Sequence, residues 1–288
     1  MLKMKNLKLT LLLLTSILIV SCSKTEVTKQ DSSELESVSA AAVAGLFKKR
    51  VLIEDFTGTW CGNCTSVAYA IEKVYENPNN QAVTVAIHSG NDPYKFTEVG
   101  PLHEYIFPSG TIALPEARLN RTNKWIDPDT NIVKALNMRS NNCGLGLALK
   151  SGLNDNTISL EVKIKFAQNY DGLKLVVYLL EDKLIYKQTN YSSYFASQTI
   201  MVGNSRFIPN FEHNHVLRKS LTNLLGNSIS ENSIDGNTIS RSFSLAVPAN
   251  IANKNNISFA AFVVDNNNTV INSRDSYINE NQVFEENR

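Results

Sequence analysis

With 288 residues, 43% of them hydrophobic and 19% charged, the chain has room for roughly two globular domains and the apolar side chains to fill their cores. Its 28 basic and 27 acidic side chains leave a formal net charge of +1, so no overall field draws it to nucleic acid or to an acidic partner. Any chemistry has to be carried by local motifs.

Residues 1–21 read as an export signal. Lys3, Lys5 and Lys8 form a positive start, and Leu9 to Val20 form an apolar stretch shorter than the roughly 20 residues a spanning helix needs. The stretch ends in Ile19-Val20-Ser21-Cys22, which resembles the bacterial lipobox. The resemblance implies that Cys22 receives fatty acyl chains such as palmitate and becomes the mature N-terminus. Each buried CH₂ contributes about 0.8 kcal/mol, so several chains together anchor a protein without a transmembrane helix. Ser23, rather than Asp, follows Cys22, and by resemblance to enterobacterial sorting this favours the outer membrane. Residues 22–46 are rich in Ser, Thr, Glu and Ala and bury little, so they are expected to form a flexible tether.

From residue 47 to 142 the pattern alternates strands and helices. Arg50 to Phe56 is dense in strand formers, and after it comes Trp60-Cys61-Gly62-Asn63-Cys64. Beyond Cys64, Val67, Ile71, Val74 and Tyr75 recur at helical spacing. A strand, a short loop and a Cys-x-x-Cys at a helix start are a redox arrangement, because the helix N-terminus carries unpaired N–H groups and about half a positive charge, which favours thiolate over thiol. Ala82 to Ile87 is a second buried strand, followed by the loop His88 to Pro93 and a helical stretch from Phe96 to Phe107. Leu114 to Asn120 reads as a strand with Pro115 near its start, and Asp127-Pro128-Asp129 opens a helix through Leu136.

From residue 143 to 288 strands and turns take over. Ile158, Leu160, Val162, Ile164 and Phe166 alternate with Ser159, Glu161, Lys163 and Lys165, a half-buried strand. Leu173 to Leu180, Ser242 to Val247 and Ile257 to Val264 are further strands between Asn-rich turns. This unit reads as an all-β, immunoglobulin-like antiparallel sandwich. Cys143, left over once the other cysteines are assigned, reads as a small buried hydrophobe.

Val51 to Cys64 resembles thioredoxin-like domains. Together with Leu114-Pro115 through Asn120-Arg121 and His213-Asn214-His215-Val216-Leu217-Arg218, the chain is similar to the Bacteroidetes lipoprotein family named after the 28-kDa outer membrane protein. The resemblance implies an α/β thioredoxin-like domain ahead of the sandwich. It assigns Cys61 as nucleophile, Cys64 as resolving thiol, Asp55 as the buried acid that moves the resolving proton, and Pro115 as a cis-proline beside the dithiol. Trp60 and Leu114 would face the substrate. Gly62-Asn63 departs from the Gly-Pro or Gly-His of well-known oxidoreductases, which leaves the direction of the redox reaction open.

Competing readings stand beside these. The Cys pair can be a structural disulfide, Trp60 can serve packing, and a shift of one residue would exchange Asp55 with Glu54 as the inward carboxylate. A zinc site from Cys61, Cys64, His88 and His103 follows no zinc spacing, and His213-Asn214-His215 reads as packing or hydrogen bonding rather than a metal or nuclease motif. The expectation is therefore an outer-membrane lipoprotein exchanging disulfides with envelope protein thiols, with no metal or other cofactor and no nucleic-acid partner. The alternative is a non-catalytic binding, adhesion or envelope-assembly protein.

Overall fold

The computed structural model describes residues 40–79, 81–230 and 233–288, so the signal segment, Cys22 and most of the expected tether lie outside the described residues. The described chain begins β1 (Phe47–Lys49), β2 (Val51–Thr57), α1 (Thr65–Glu76), β3 (Ala82–His88), α2 (Gly100–Ile106), β4 (Glu116–Leu119), β5 (Asn123–Lys124) and α3 (Ile132–Leu136). Strands follow: β6 (Ser140–Cys143), β7 (Leu145–Asn154), β8 (Thr157–Phe166), β9 (Lys174–Glu181), β10 (Leu184–Thr189), β11 (Ile200–Val202) and β12 (Ser205–His213). The last are β13 (Val216–Ser220), β14 (Asn227–Ser228), β15 (Thr238–Ala246), β16 (Ile257–Val264) and β17 (Val270–Tyr277). Among the described residues no helix is long and apolar enough to cross a membrane.

The pairing of these strands overturns the expectation of an α/β thioredoxin-like domain followed by an immunoglobulin-like sandwich. Strands occupy 43% of the described residues against 12% for helices, too little helix for an alternating α/β unit. One nine-stranded sheet runs β17-β16-β9-β13-β3-β2-β4-β5, with β14 added on β9. Strands from both halves of the sequence thus share a single sheet. The junction is β13, parallel to β3 at Val216 and Ala86 and antiparallel to β9, and the Ala86 N–H donates to the His215 carbonyl at 2.8 Å.

The physical reason lies in β9 and β16. All eight residues of β16, and all of β9 after Lys174, are buried. Strands apolar on both faces belong at the centre of a sheet covered on both sides, not on a half-solvated sandwich face. Val176, Tyr178, Leu180, Ala260 and Phe262 pack with Leu52, Phe56, Val83, Val85 and α2 residues on one face. The alternate residues Leu175, Val177, Leu179, Phe259 and Ala261 pack on the other against β7 and β8. The separate three-stranded sheet β15-β8-β7 covers that second face, and β8 alternates buried and exposed as its sequence requires. The β-rich reading of the second half therefore holds.

Around β2, α1 and α3 sit on the face marked by Val51 and Ile53, where Val67, Ala70 and Val74 of α1 and Ala135 and Leu136 of α3 join them. Successive residues of a strand point to opposite faces, so the adjacent acids of β2 part company. Glu54 faces Arg121, with Oε1 2.8 Å from the guanidinium, and both are fully buried. Arg121 also donates to the Tyr178 hydroxyl at 3.0 Å and lies over the Phe262 ring. Asn120 pins the same corner to β2, its Oδ1 accepting the Leu52 N–H and its own N–H donating to the Leu52 carbonyl.

Candidate functional site

Cys61 and Cys64 are joined in a disulfide in the loop between β2 and α1, and Cys64 is the N-cap residue of α1. The loop is a stack of turns: Cys61 N–H donates to Gly58 O, Cys64 N–H to Cys61 O, and Val67 N–H to Cys64 O. Side chains at Val67, Ala70 and Val74 fix α1 to the sheet and so fix where the loop stands. Both cysteines are nearly buried, at 5% and 2% exposure. Cys143 is a free, buried cysteine elsewhere.

Trp60 is 47% exposed, and its indole N–H donates to Ser89 O at 2.8 Å. The ring lies against Gly58 and Gly90, and Gly90 has φ +74°, where a side chain would be strained as well as obstructed. The Leu114–Pro115 bond is cis and leads into β4, whose Glu116 is paired with Phe56 near the end of β2. Leu114 is half-buried against the core rather than displayed.

Asp55 lies on the face of β2 opposite to Glu54. It lines a cavity of about 260 Å³ together with Cys64, Thr65, His88, Phe211 and His213. Its Oδ1 has no hydrogen-bond partner, and burial alone raises its pKa to about 8. The unfolded value is about 3.9. The folded state therefore holds a proton that the unfolded state releases between about pH 4 and pH 8, so the stability associated with this group is intact below pH 4 and lost as pH rises towards 8. Asp55→Asn is expected to stabilise the fold by about 4 kcal/mol at pH 7 and by less than about 1 kcal/mol at pH 4. Denaturant midpoints measured at the two pH values check this, and equal shifts at both would refute it.

One group at this site, Asp92, was not singled out from the sequence. Asp92 accepts the Thr59 N–H at 2.6 Å, the Tyr94 N–H at 2.8 Å, and meets His88 Nδ1 at 3.1 Å. Burial alone would raise its pKa, but His88 and these N–H donors outweigh that and hold it below the ordinary range. His213 ends β12, its Nε2 unpartnered; burial and then the neighbouring His88 push its pKa down to about 3, so it is neutral. His215 lies apart in the following turn at φ 58°, stacked on Tyr75, so the two histidines of His213-Asn214-His215 do not share a strand face. His103 sits on α2 between Phe56 and Phe107, away from the disulfide. Among the described residues no group of three or more His, Cys, Asp and Glu is placed to hold a metal ion.

The second missed element is the segment from Gln188 to Ser192, which crosses the disulfide loop. Thr189 N–H donates to Thr59 O and Tyr191 N–H to Gly62 O, both at 2.8 Å. The Gln188 carboxamide donates to Cys61 O at 2.9 Å and Gly58 O at 3.3 Å. Thr65 Oγ1 donates to Asn190 Oδ1 at 2.7 Å, and Tyr194 stacks on Tyr69 of α1 at 4.0 Å. A side chain at Gly62 would run into the Tyr191 ring. The only sequence signal was a cluster of aromatics, Tyr191, Tyr194 and Phe195, in an otherwise polar stretch.

Fold and site together define a β-rich protein built around a buried, strapped disulfide that shares a cavity with a carboxyl of raised pKa. The sequence profile of a family described as "Outer membrane protein Omp28" matches residues 104–282, well over half of the chain. The chain belongs to the Omp28 family and is an outer membrane protein. The matched segment contains Pro115, Arg121 and His213 and begins after the Cys pair. Among solved structures, HBP35 of Porphyromonas gingivalis is similar in fold: TM-score 0.57 at 17% identity, covering 83% of this chain and 78% of that one. A domain of the outer membrane lipoprotein Omp28 from the same organism aligns with TM-score 0.32 at 18% identity, over 49% of this chain and 92% of the other. No curated protein sequence matches the chain.

Proposed function

We propose that this outer membrane protein exchanges disulfides with protein thiols of the cell envelope through Cys61 and Cys64, held at the membrane by acyl chains on Cys22. The observation that carries the reading is the cavity shared by Cys64 and the buried carboxyl of Asp55. A client thiolate attacks Cys61 Sγ, the Cys61–Cys64 bond breaks, and its electron pair leaves on Cys64. Asp55, still protonated to about pH 8, gives its proton to the Cys64 thiolate and recovers one from solvent. A second client thiolate then attacks the client sulfur of the mixed disulfide and expels Cys61. The client is oxidised by two electrons and the pair is reduced; started from the dithiol, the same steps run backwards. Trp60, exposed beside Cys61, meets the client, and the cis-proline Pro115 precedes Glu116, which pairs with Phe56 near the end of β2.

The near-complete burial of both cysteines favours a second reading, in which the disulfide is structural and the protein serves as an envelope binding or assembly module. A glutathione redox titration of the full chain in detergent, with alkylation read by mass at Cys61 and Cys64, decides between them. The expected midpoint lies within roughly −120 to −270 mV, the range of exchange enzymes. A pair still oxidised below about −300 mV would be structural, and the second reading would replace the first.

A further inference from the structure

The segment Gln188–Tyr191 runs along the disulfide loop and bonds to its main-chain carbonyls through two backbone N–H groups and the Gln188 carboxamide. Its alternate residues Thr189 and Tyr191 donate to the carbonyls of Thr59 and Gly62, and the Gln188 side chain donates to the carbonyl between them, at Cys61. Three loop carbonyls, at Thr59, Cys61 and Gly62, thus accept from the strap beside the reactive sulfur. A series of acceptors of this kind is what an extended polypeptide pairs with, and main-chain pairing of this sort recognises backbone rather than particular side chains. The segment that meets these acceptors is well supported on its far side. Asn190 N–H donates to Arg206 O, its side-chain amide donates to Tyr194 O and Thr199 Oγ1, and Tyr194 OH donates to Asp129. On the loop side two main-chain N–H groups and the Gln188 carboxamide hold it, and the Tyr191 side chain is 58% exposed.

We propose that the Thr59–Gly62 edge is a docking site for an extended, cysteine-bearing polypeptide, and that Gln188–Tyr191 is a built-in competitor that occupies it in this structure. The inference rests on the exchange reading and names its substrate: an unfolded or locally extended segment of an envelope protein, which reaches Cys61 by displacing the strap and taking over its carbonyl partners. A small dithiol offers no backbone N–H groups to those carbonyls and gains nothing from the site. The strap therefore selects clients by backbone as well as by thiol reactivity.

The test compares two reductants of the Cys61–Cys64 disulfide in the full chain: dithiothreitol, and a short unstructured peptide carrying two cysteines. Rates are followed by alkylation and mass. Tyr191→Ala takes the ring off Gly62, and Gln188→Leu removes the donors to Cys61 O and Gly58 O; cooperative melting establishes that each variant is folded. The expected result is that each raises the ratio of the peptide rate to the dithiothreitol rate about fivefold: Gln188→Leu takes roughly one net hydrogen bond from the competitor, and Tyr191→Ala takes the apolar contact of the ring with Gly62. Should Gln188→Leu fail to fold, the exposed Tyr191→Ala carries the test alone. An unchanged ratio in a protein that does exchange thiols overturns the docking site. A wild-type pair that resists both reductants, with its midpoint below about −300 mV, overturns the exchange reading and the site with it.

Discussion

Cys61→Ser is expected to bring disulfide exchange with envelope proteins to background, while Cys64→Ser, presented with a disulfide-bonded client, accumulates a mixed disulfide between Cys61 and the client. The asymmetry follows from the order of steps when the dithiol meets a client disulfide: the Cys61 thiolate attacks and expels one client sulfur as a thiolate, and Cys64 then displaces the other client sulfur from Cys61. Loss of the bridge itself should cost little in stability. The loop it closes is one of the shortest possible, with three residues of sequence separation, and the chain-entropy estimate for so small a loop is about 2 kcal/mol. Both variants should therefore remain folded, and non-reducing mass analysis after incubation with a disulfide-bonded client separates them. If the pair is structural, neither variant traps a client and both show only the stability loss.

Arg121→Ala is expected to destabilise the fold by about 3–5 kcal/mol, among the largest effects of any single replacement outside the hydrophobic core. The guanidinium and the Glu54 carboxylate are both fully buried, so removing the cation leaves a charge without a partner in a medium that cannot solvate it. The Tyr178 hydroxyl would lose its bond from Arg121 and keep only its own donation to Leu224 O. The double replacement Glu54→Gln with Arg121→Met removes both charges at similar volume and should recover most of the loss. Urea midpoints of the two single variants and the double variant measure the coupling. A double variant no more stable than the singles would show that packing around Tyr178 and Phe262, rather than charge, is what Arg121 supplies.

The sequence made legible the features that depend on neighbours in the chain. The alternation from Ile158 to Phe166 gives β8 its two faces, the apolar run Ala82 to Ile87 becomes β3, and the Cys-x-x-Cys lies between a strand and a helix as its flanks require. The helix from Asp127 was overextended: α3 holds only Ile132–Leu136. The assignment of strands to sheets was not legible. An apolar run such as Ile257 to Val264 records that both faces are covered but not by what, and pairing with β9 and β17 is settled by residues far away in sequence. For the same reason Glu54 read as an alternative to Asp55, because the group that neutralises it, Arg121, is 67 residues away. The strap was hidden by its composition. Gln188, Thr189 and Asn190 look like turn residues, and their use of side-chain amides and main-chain N–H groups to hold another loop leaves no periodic trace.

The order of the large sheet sets a limit on what the family-matched segment is as a physical object. Residues 104–282 contain β4 and β5 at one end of that sheet and β13, β9, β16 and β17 at the other, but not β2 and β3, which join the two groups. A fragment cut to the matched residues would carry a sheet in two pieces, with β4 and β13 each presenting an unpaired edge open to strands of other molecules. The unit that inheritance has kept recognisable in sequence is thus smaller than the unit that folds. The stretch from β1 to β3, with its disulfide, completes that unit rather than being an appendage to it.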